Sequence, residues 1–404
     1  MIRCCRRSFT SKFHSIISQH LYPVQLQPIR TNSTRGFNLR DSDREDDEDD
    51  ENGCSSSGTE VKIAKDKIQL FKSRGQHLLT NPRVLDTIVR RSEINQTDTV
   101  LEIGPGTGNL TMKLLEAAKN VVAIEIDKRM VEILHRRVSE RGCGSRLTVI
   151  NNDALKAEFP PFDLVVANIP FGISSPLVAK FLFGGSKFRN ATLLIQKEFA
   201  RRLLADPGES EYNRLAANVK LVADVEFVMD VSKRDFLPVP KVDCSVVKIH
   251  PKDYIPTVHE GFNLNEWWAF TRVCFSKKNK TLGATFKKKR KLMELMKLSK
   301  SDVKPENFEL CDDGSDSELD DNGHDSKTKN DSPSNSKDGM SLFKDKVMDI
   351  LRSAGCESKR PSKLSNEELL HLLYLFNQAG IYFYDQSQLK DATEDAFEAS
   401  YDPM

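Results

Sequence analysis

The sequence predicts an α/β fold: a mostly parallel sheet flanked by crossover helices, with a smaller helical region after it. Three observations lead there. Short apolar runs at residues 99–103, 120–126, 147–151, 164–168 and 191–196 alternate with stretches of helical patterning, and strands separated by helix-length segments require crossovers rather than hairpins. A glycine-rich segment sits directly between the first of these runs and the helix that follows it. After residue 250 the strand pattern stops, and helical periodicity takes over at 265–299 and again at 341–385. Two further apolar stretches, 225–231 and 245–249, are expected to add edge strands.

The ends and the insert read differently. Residues 1–40 carry seven Lys/Arg and no acid, with Arg3, Arg6, Arg7 and Lys12 interleaved among Ile2, Phe9, Phe13, Ile16, Ile17 and several serines. That amphipathic, acid-free composition is the organelle transit-peptide pattern, and it lacks the unbroken apolar centre of a secretory signal. Residues 41–58 are acidic and almost without large apolar groups, and 300–340 form a Ser/Asp/Asn-rich insert; both compositions predict disorder. The expected organisation is a targeting segment and acidic linker over 1–60, a sheet domain over 61–250, and a helical C-terminal domain over 251–404 interrupted at about 300–340.

A formal net charge of +1 conceals strong segregation. Residues 41–60 carry −9 and 301–340 carry −8, whereas 61–300 carry +15. A basic body of this kind favours polyanions. The eight cysteines are scattered without a CxxC pair, which fits free thiols in a reducing compartment better than a disulfide scaffold or a zinc site, and no metal site is expected. No apolar run reaches the eighteen or so residues of a spanning helix, so no membrane insertion is expected.

The chemistry is concentrated at three strand ends. Glu102-Ile103-Gly104-Pro105-Gly106-Thr107-Gly108 follows the first strand, where glycines at Gly104 and Gly106 permit a sharp turn and close backbone approach to a ligand. Glu125, twenty-one residues after Gly104, is placed to accept hydrogen bonds from both hydroxyls of a ribose. A dinucleotide enzyme uses such an acid too, but its GxGxxG fingerprint has a third glycine where this chain has Asn109. The loop therefore favours S-adenosylmethionine over NAD. Asp153, after the third strand, is a candidate acceptor for the amino hydrogens of the cofactor's adenine; a turn aspartate is the bland reading of the same residue.

Asn168-Ile169-Pro170-Phe171 follows a strand too apolar to be exposed, so it emerges at the same sheet edge. An adenine amino group is a poor nucleophile because its lone pair is delocalised into the ring. Two acceptors, the Asn168 side-chain oxygen and a main-chain carbonyl fixed by Pro170, would hold its two hydrogens and aim the nitrogen. The transfer then depends on orientation more than on a general base. Phe171 offers a face on which an extruded base can stack.

These motifs together resemble the ribosomal RNA adenine dimethyltransferase family, over roughly residues 68–300 and again after 340. The residues that carry the resemblance are Ser73-Arg74-Gly75-Gln76-His77-Leu78-Leu79, the glycine loop, Ile124-Glu125-Ile126-Asp127, Asn152-Asp153-Ala154, the NIPF segment, and Phe236-Leu237-Pro238-Val239-Pro240-Lys241-Val242-Asp243. The resemblance implies a Rossmann-like, S-adenosylmethionine-dependent methyltransferase fold with a small helical C-terminal domain. It implies cofactor contacts for Gln76, His77 and Leu79 beside Gly104, Gly106, Glu125, Asp153 and Asn168. It also implies that Phe236 stacks on the target base and that two adjacent adenines of small-subunit rRNA each receive two methyls. Lys277, Lys278, Lys280 and the run from Lys287 to Lys291 are similar to the eukaryotic branch and point to an RNA-contacting patch. The chain departs from many members at Phe171, where they have Tyr, and at Gly172, where they have Gln or Asn.

The expected protein is a monomer acting on small-subunit rRNA in the mitochondrial matrix, with a nucleolar form of the same enzyme as the alternative address. A largely non-catalytic ribosome-assembly or transcription factor on the same fold is the alternative from another class, although such relatives tolerate erosion of the glycine loop or NIPF and neither is eroded here. A large-subunit rRNA adenine methyltransferase of the antibiotic-resistance type shares the motifs but not the C-terminal features.

Overall fold

The computed structural model describes residues 59–63, 66–70, 75–254, 263–299 and 335–384. The expected targeting segment and acidic linker, the insert as far as residue 334, and Ser73-Arg74 lie outside the described residues.

A hairpin of β1 (Thr59–Ile63) and β2 (Asp66–Leu70) comes first, followed by the two-residue strand β3 (Leu78–Leu79) and helix α1 (Pro82–Arg91). Asn81 caps α1 by accepting from the Arg83 N–H, and Pro82 occupies the first turn, where its missing donor is harmless. The chain then alternates strand and helix: β4 (Thr99–Ile103), α2 (Asn109–Ala117), β5 (Asn120–Ile124), α3 (Lys128–Glu140), β6 (Leu147–Ile150), β7 (Leu164–Asn168), α4 (Ser174–Phe183) and β8 (Ala191–Gln196). Helices α5 (Lys197–Leu204) and α6 (Arg214–Val222) lead into β9 (Ala223–Val231), the short β10 (Phe236–Leu237) and β11 (Cys244–Pro251).

Seven strands form one sheet in the order β6-β5-β4-β7-β8-β11-β9. The first five are parallel, and β11 runs antiparallel to both β8 and β9. Only β9 of the two late strands is an edge, so the expectation of an edge strand at 245–249 is corrected: β11 inserts between β8 and β9. Its residues Cys244 to Ile249 are all buried, as an interior position requires.

The parallel strands are mostly apolar because both faces are covered. Alternate residues divide cleanly between two cores. Val100, Val121, Ala123, Leu164 and Val166 pack with α1, α2 and α3, whereas Leu101, Val122, Ile124, Val165 and Ala167 pack with α4, α5 and α6. Chain order runs outward from β4 to β6, then returns to β7 beside β4. That reversal opens a crevice at the carboxyl ends of β4 and β7, the place where such sheets bind ligands.

The helical region comprises α7 (Leu264–Cys274), α8 (Leu282–Phe286), α9 (Lys289–Ser299), α10 (Asn335–Ser353) and α11 (Asn366–Gln378). It shares the second core with the sheet, since Trp267, Phe270, Phe286, Leu351 and Phe376 join the cluster that contains Leu101 and Val165. The Asn218 side-chain oxygen on α6 accepts from Trp267 Nε1 and Thr271 Oγ1, both at 3.1 Å. A buried carboxylate, Glu266, accepts the main-chain N–H groups of Phe383 and Tyr384, fixing the chain beyond α11; burial pushes its carboxyl up to about 7. Among the described residues, no helix is long and apolar enough to cross a membrane.

Candidate active site

The turn after β4 depends on two glycines. Gly104 has φ 64°, and a β-carbon there would lie 3.2 Å from Pro170 Cδ. Gly108 has φ 87°, and its β-carbon would fall 2.5 Å from Leu134 on α3. Any side chain at either place meets both backbone strain and packed neighbours. The sixth position holds Asn109, and the structure supplies a reason. Asn109 Nδ2 donates to the Leu79 carbonyl at 2.9 Å, and its oxygen accepts from Arg137 at 3.0 Å. The asparagine thus joins the glycine loop to β3 on one side and α3 on the other.

Two carboxylates underlie this loop. Glu102 is almost wholly buried and accepts from Thr111 Oγ1 at 2.6 Å; burial raises its carboxyl to about 8. Glu125 lies just past the end of β5, accepting from the Gly106 N–H at 3.1 Å and the Asp127 N–H at 2.9 Å. Burial raises its carboxyl too, and those two donors partly offset the rise. Asp127 is held down at about 2, first by Arg129 and also by Gln76, whose Nε2 donates to it at 2.9 Å. Asp127 also caps α3.

The segment 75–79 spans the crevice. Gln76 is tied to Asp127, and the His77 carbonyl accepts from Asn168 Nδ2 at 3.2 Å. The His77 ring stacks on Phe171 with centroids 5.6 Å apart and 23° between planes, while Nδ1 lies 2.8 Å from the Pro238 carbonyl and so carries the proton of that bond. In NIPF the Pro170 carbonyl is occupied, accepting from the Ile173 N–H at 3.1 Å and from Ser174 Oγ at 3.4 Å. The carbonyl free of such partners among the described residues is that of Ile169, the acyl half of the Ile169–Pro170 bond.

These parts enclose a cavity of about 650 Å³, within the range of small-molecule sites. Gln76, His77, Gly104, Gly106 and Glu125 line it together with Asp153, Asn168, Pro170 and Phe171. Two expected residues are absent from the lining. Leu79 is buried in the core, and its neighbour Leu78 faces the cavity instead, because successive residues of a strand point to opposite faces. Phe236 is corrected more seriously. It pairs with Leu79 in a two-stranded ladder, is 2 % exposed, and packs in the same core, so its ring has no face free for a base. Leu237, Val239 and Val242 are the exposed apolar residues of that segment. Reasoning from sequence also missed Asn109, Arg137 and Ile169, whose roles come from partners distant in sequence. Among the described residues, no group of His, Cys, Asp and Glu is arranged to hold a metal ion.

Comparison with known proteins agrees with this arrangement. A family profile described as ribosomal RNA adenine dimethylase matches residues 68–309. The chain is 61% identical over 335 residues to an Arabidopsis thaliana protein named ribosomal RNA small subunit methyltransferase, mitochondrial, covering 82% of this chain and 85% of the relative. A second Arabidopsis thaliana protein, named ribosomal RNA small subunit methyltransferase, is 46% identical over 331 residues, covering 78% and 93%. Among solved structures, a dimethyladenosine transferase from Plasmodium falciparum superposes with a TM-score of 0.62 at 38% identity, covering 76% of this chain and 100% of that one. A glycine loop, the acid Glu125 and an NIPF turn opening on one crevice, in a chain matched over most of its sheet, place this protein in the ribosomal RNA adenine dimethylase family.

Proposed function

We propose that the chain transfers methyl groups from S-adenosylmethionine to N6 of two adjacent adenines in small-subunit ribosomal RNA, in the mitochondrial matrix. The observation that carries this reading is that the glycine loop, Glu125, Asp153 and NIPF all open onto a single cavity. The residues fit the cofactor. Backbone rather than side chain forms the floor at Gly104 and Gly106, where a β-carbon would meet Pro170 or Leu78. Glu125 keeps acceptor capacity beyond its two main-chain donors for a ribose diol, and Asp153 lines the same cavity for the adenine.

S-adenosylmethionine supplies an electrophilic methyl group on sulfur. The chain's own residues handle the other reactant. Asn168 has its amide nitrogen committed to His77, which turns the side-chain oxygen toward the cavity as an acceptor. With the Ile169 carbonyl it receives the two amino hydrogens of an adenine and draws the nitrogen toward tetrahedral geometry. Phe171 has one face covered by His77 and stacks on the extruded base with the other. This is catalysis by orientation.

The mitochondrial address is supported by the acid-free, Arg/Ser-rich start of the chain and by the higher identity to the relative named mitochondrial, 61% against 46%. The test is methyl transfer to immature small subunits, with the modified positions mapped, beside Asn168→Ala. Methylation of two neighbouring adenines by the intact chain and none by the variant is the expected result; binding without transfer by the intact chain would favour an assembly factor. A fusion of residues 1–60 to a fluorescent protein tests the address, and a diffuse or nucleolar signal would overturn it.

A further inference from the structure

Lys180 lies two turns into α4, the helix that begins directly after NIPF. Its ammonium group donates to three main-chain carbonyls, those of Ala154 at 3.0 Å, Leu155 at 2.9 Å and Ala157 at 2.6 Å. An ammonium has three donors, and all three are used. The charge also sits 4.4 Å above the centre of the Phe159 ring. No carboxylate among the described residues lies within ion-pair distance of it. A lysine paired for charge would seek an acid; this one gathers a turn.

The gathered turn is the one that begins with Asp153. Asp153 Oδ1 accepts from the Leu155 N–H at 2.9 Å, and its carbonyl accepts from Lys156 and Ala157. The carboxylate therefore has its second oxygen left for the cavity that it lines. The turn's own bonds are local, and its fully buried side chains, Ala154 and Ala157, are small, with Leu155 packed partly buried beside them. α4 is held by Leu177, Val178 and Phe181, all buried in the core. The helix is the fixed body and the turn the supported one.

We propose that Lys180 is a positioning residue for cofactor recognition, holding the Asp153 turn at a set place relative to Asn168 in the cavity that both line. The inference rests on the reading of that cavity as an S-adenosylmethionine site. From Ser174 to Lys180 the helix rises about 9 Å, so one rigid element fixes both the methyl-acceptor motif and the adenine-side acid.

The experiment measures S-adenosylmethionine affinity by equilibrium dialysis on the full chain, Lys180→Met, Asp153→Ala and the double variant, with KM and kcat on immature small subunits. Lys180→Met is expected to weaken the cofactor about tenfold and raise its KM to match, with kcat at saturating cofactor within about twofold. The double variant should bind no more weakly than Asp153→Ala, because Lys180 acts through that acid. Lys180→Arg, which keeps the charge but not three convergent donors, should recover part of the loss, and it carries the same comparison if the methionine variant does not fold. Unchanged affinity in the lysine variants, multiplicative losses in the double variant, or a fall in kcat at constant KM would each overturn the proposal. Failure of the intact chain to bind S-adenosylmethionine would overturn the reading of the cavity itself, and the proposal with it.

Discussion

The two sides of the site are built on opposite principles: a cofactor wall around the glycine loop, and an acceptor wall in which His77 joins NIPF to the segment after β10, itself outside the cavity lining. On the cofactor wall nearly every polar group has a protein partner: Glu102 with Thr111, Glu125 with two main-chain donors, Asp127 with Arg129 and Gln76, Asn109 with Leu79 and Arg137. On the acceptor wall the segment after β10 leaves Leu237, Val239 and Val242 between 40% and 49% exposed, among Lys233, Arg234 and Lys241. A wall completed from within suits a small ligand of fixed shape. One that leaves apolar side chains and cations facing outward suits a large polyanion that brings its own bases and phosphates.

Variants on each side sharpen or break this contrast. The largest effect is expected at the joint between the walls. Asn168→Ala should lower methyl transfer by about a thousandfold, since it removes an acceptor that acts on the reacting amino group, with cofactor affinity changed only a few-fold. Equal losses in both measurements would mean that Asn168 belongs to the cofactor wall alone. Glu125→Ala should weaken S-adenosylmethionine about a hundredfold, because it removes a charged acceptor and strands the Gly106 and Asp127 N–H groups. RNA binding measured without cofactor should not change.

Glu102 gives the third effect, through pH. Its carboxyl stands at about 8 in the fold, against an ordinary value of 4.5. Between those values the folded chain keeps a proton that the unfolded chain has released. The stability this contributes is therefore fully present below about pH 4.5 and is lost as pH rises toward 8. Denaturant midpoints followed from pH 5 to 8 should fall, and Glu102→Gln, which cannot ionise, should flatten the fall by an amount on the order of 3 kcal/mol. Glu266 in the helical region, at about 7, adds a fall of the same sign, so the difference between the intact chain and the variant isolates Glu102. An unchanged slope would mean that Glu102 is ionised in the fold. The smallest effect belongs to the open wall: Leu237→Ser with Val239→Ser should raise the KM for rRNA three- to fivefold, on the order of 1 kcal/mol, and leave cofactor affinity alone.

Sequence disclosed the parts of this molecule that are local. Five strands, the glycine loop, Glu125, Asp153 and NIPF are legible because period, spacing and strand-end position are properties of neighbouring residues. What it concealed depends on pairing between distant segments. Phe236 belongs to a proline-rich stretch that reads as an open loop, and only its ladder with Leu79, from far earlier in the chain, puts the ring in the core. The choice between Leu78 and Leu79 turns on the register of that same two-residue pairing. Lys180 was invisible for another reason: its partners are carbonyls, which every residue has, so no side-chain pattern announces them.

One short segment touches both walls. Gln76 reaches Asp127, two residues past Glu125, and His77 meets Asn168, Phe171 and Pro238 on the acceptor side. Thermodynamic linkage follows from such a bridge. Whatever factor the cofactor lends to RNA affinity by settling residues 75–79, the RNA must return to the cofactor in equal measure. Two titrations, each ligand measured with and without the other, close a cycle in which the fourth value is fixed by the first three.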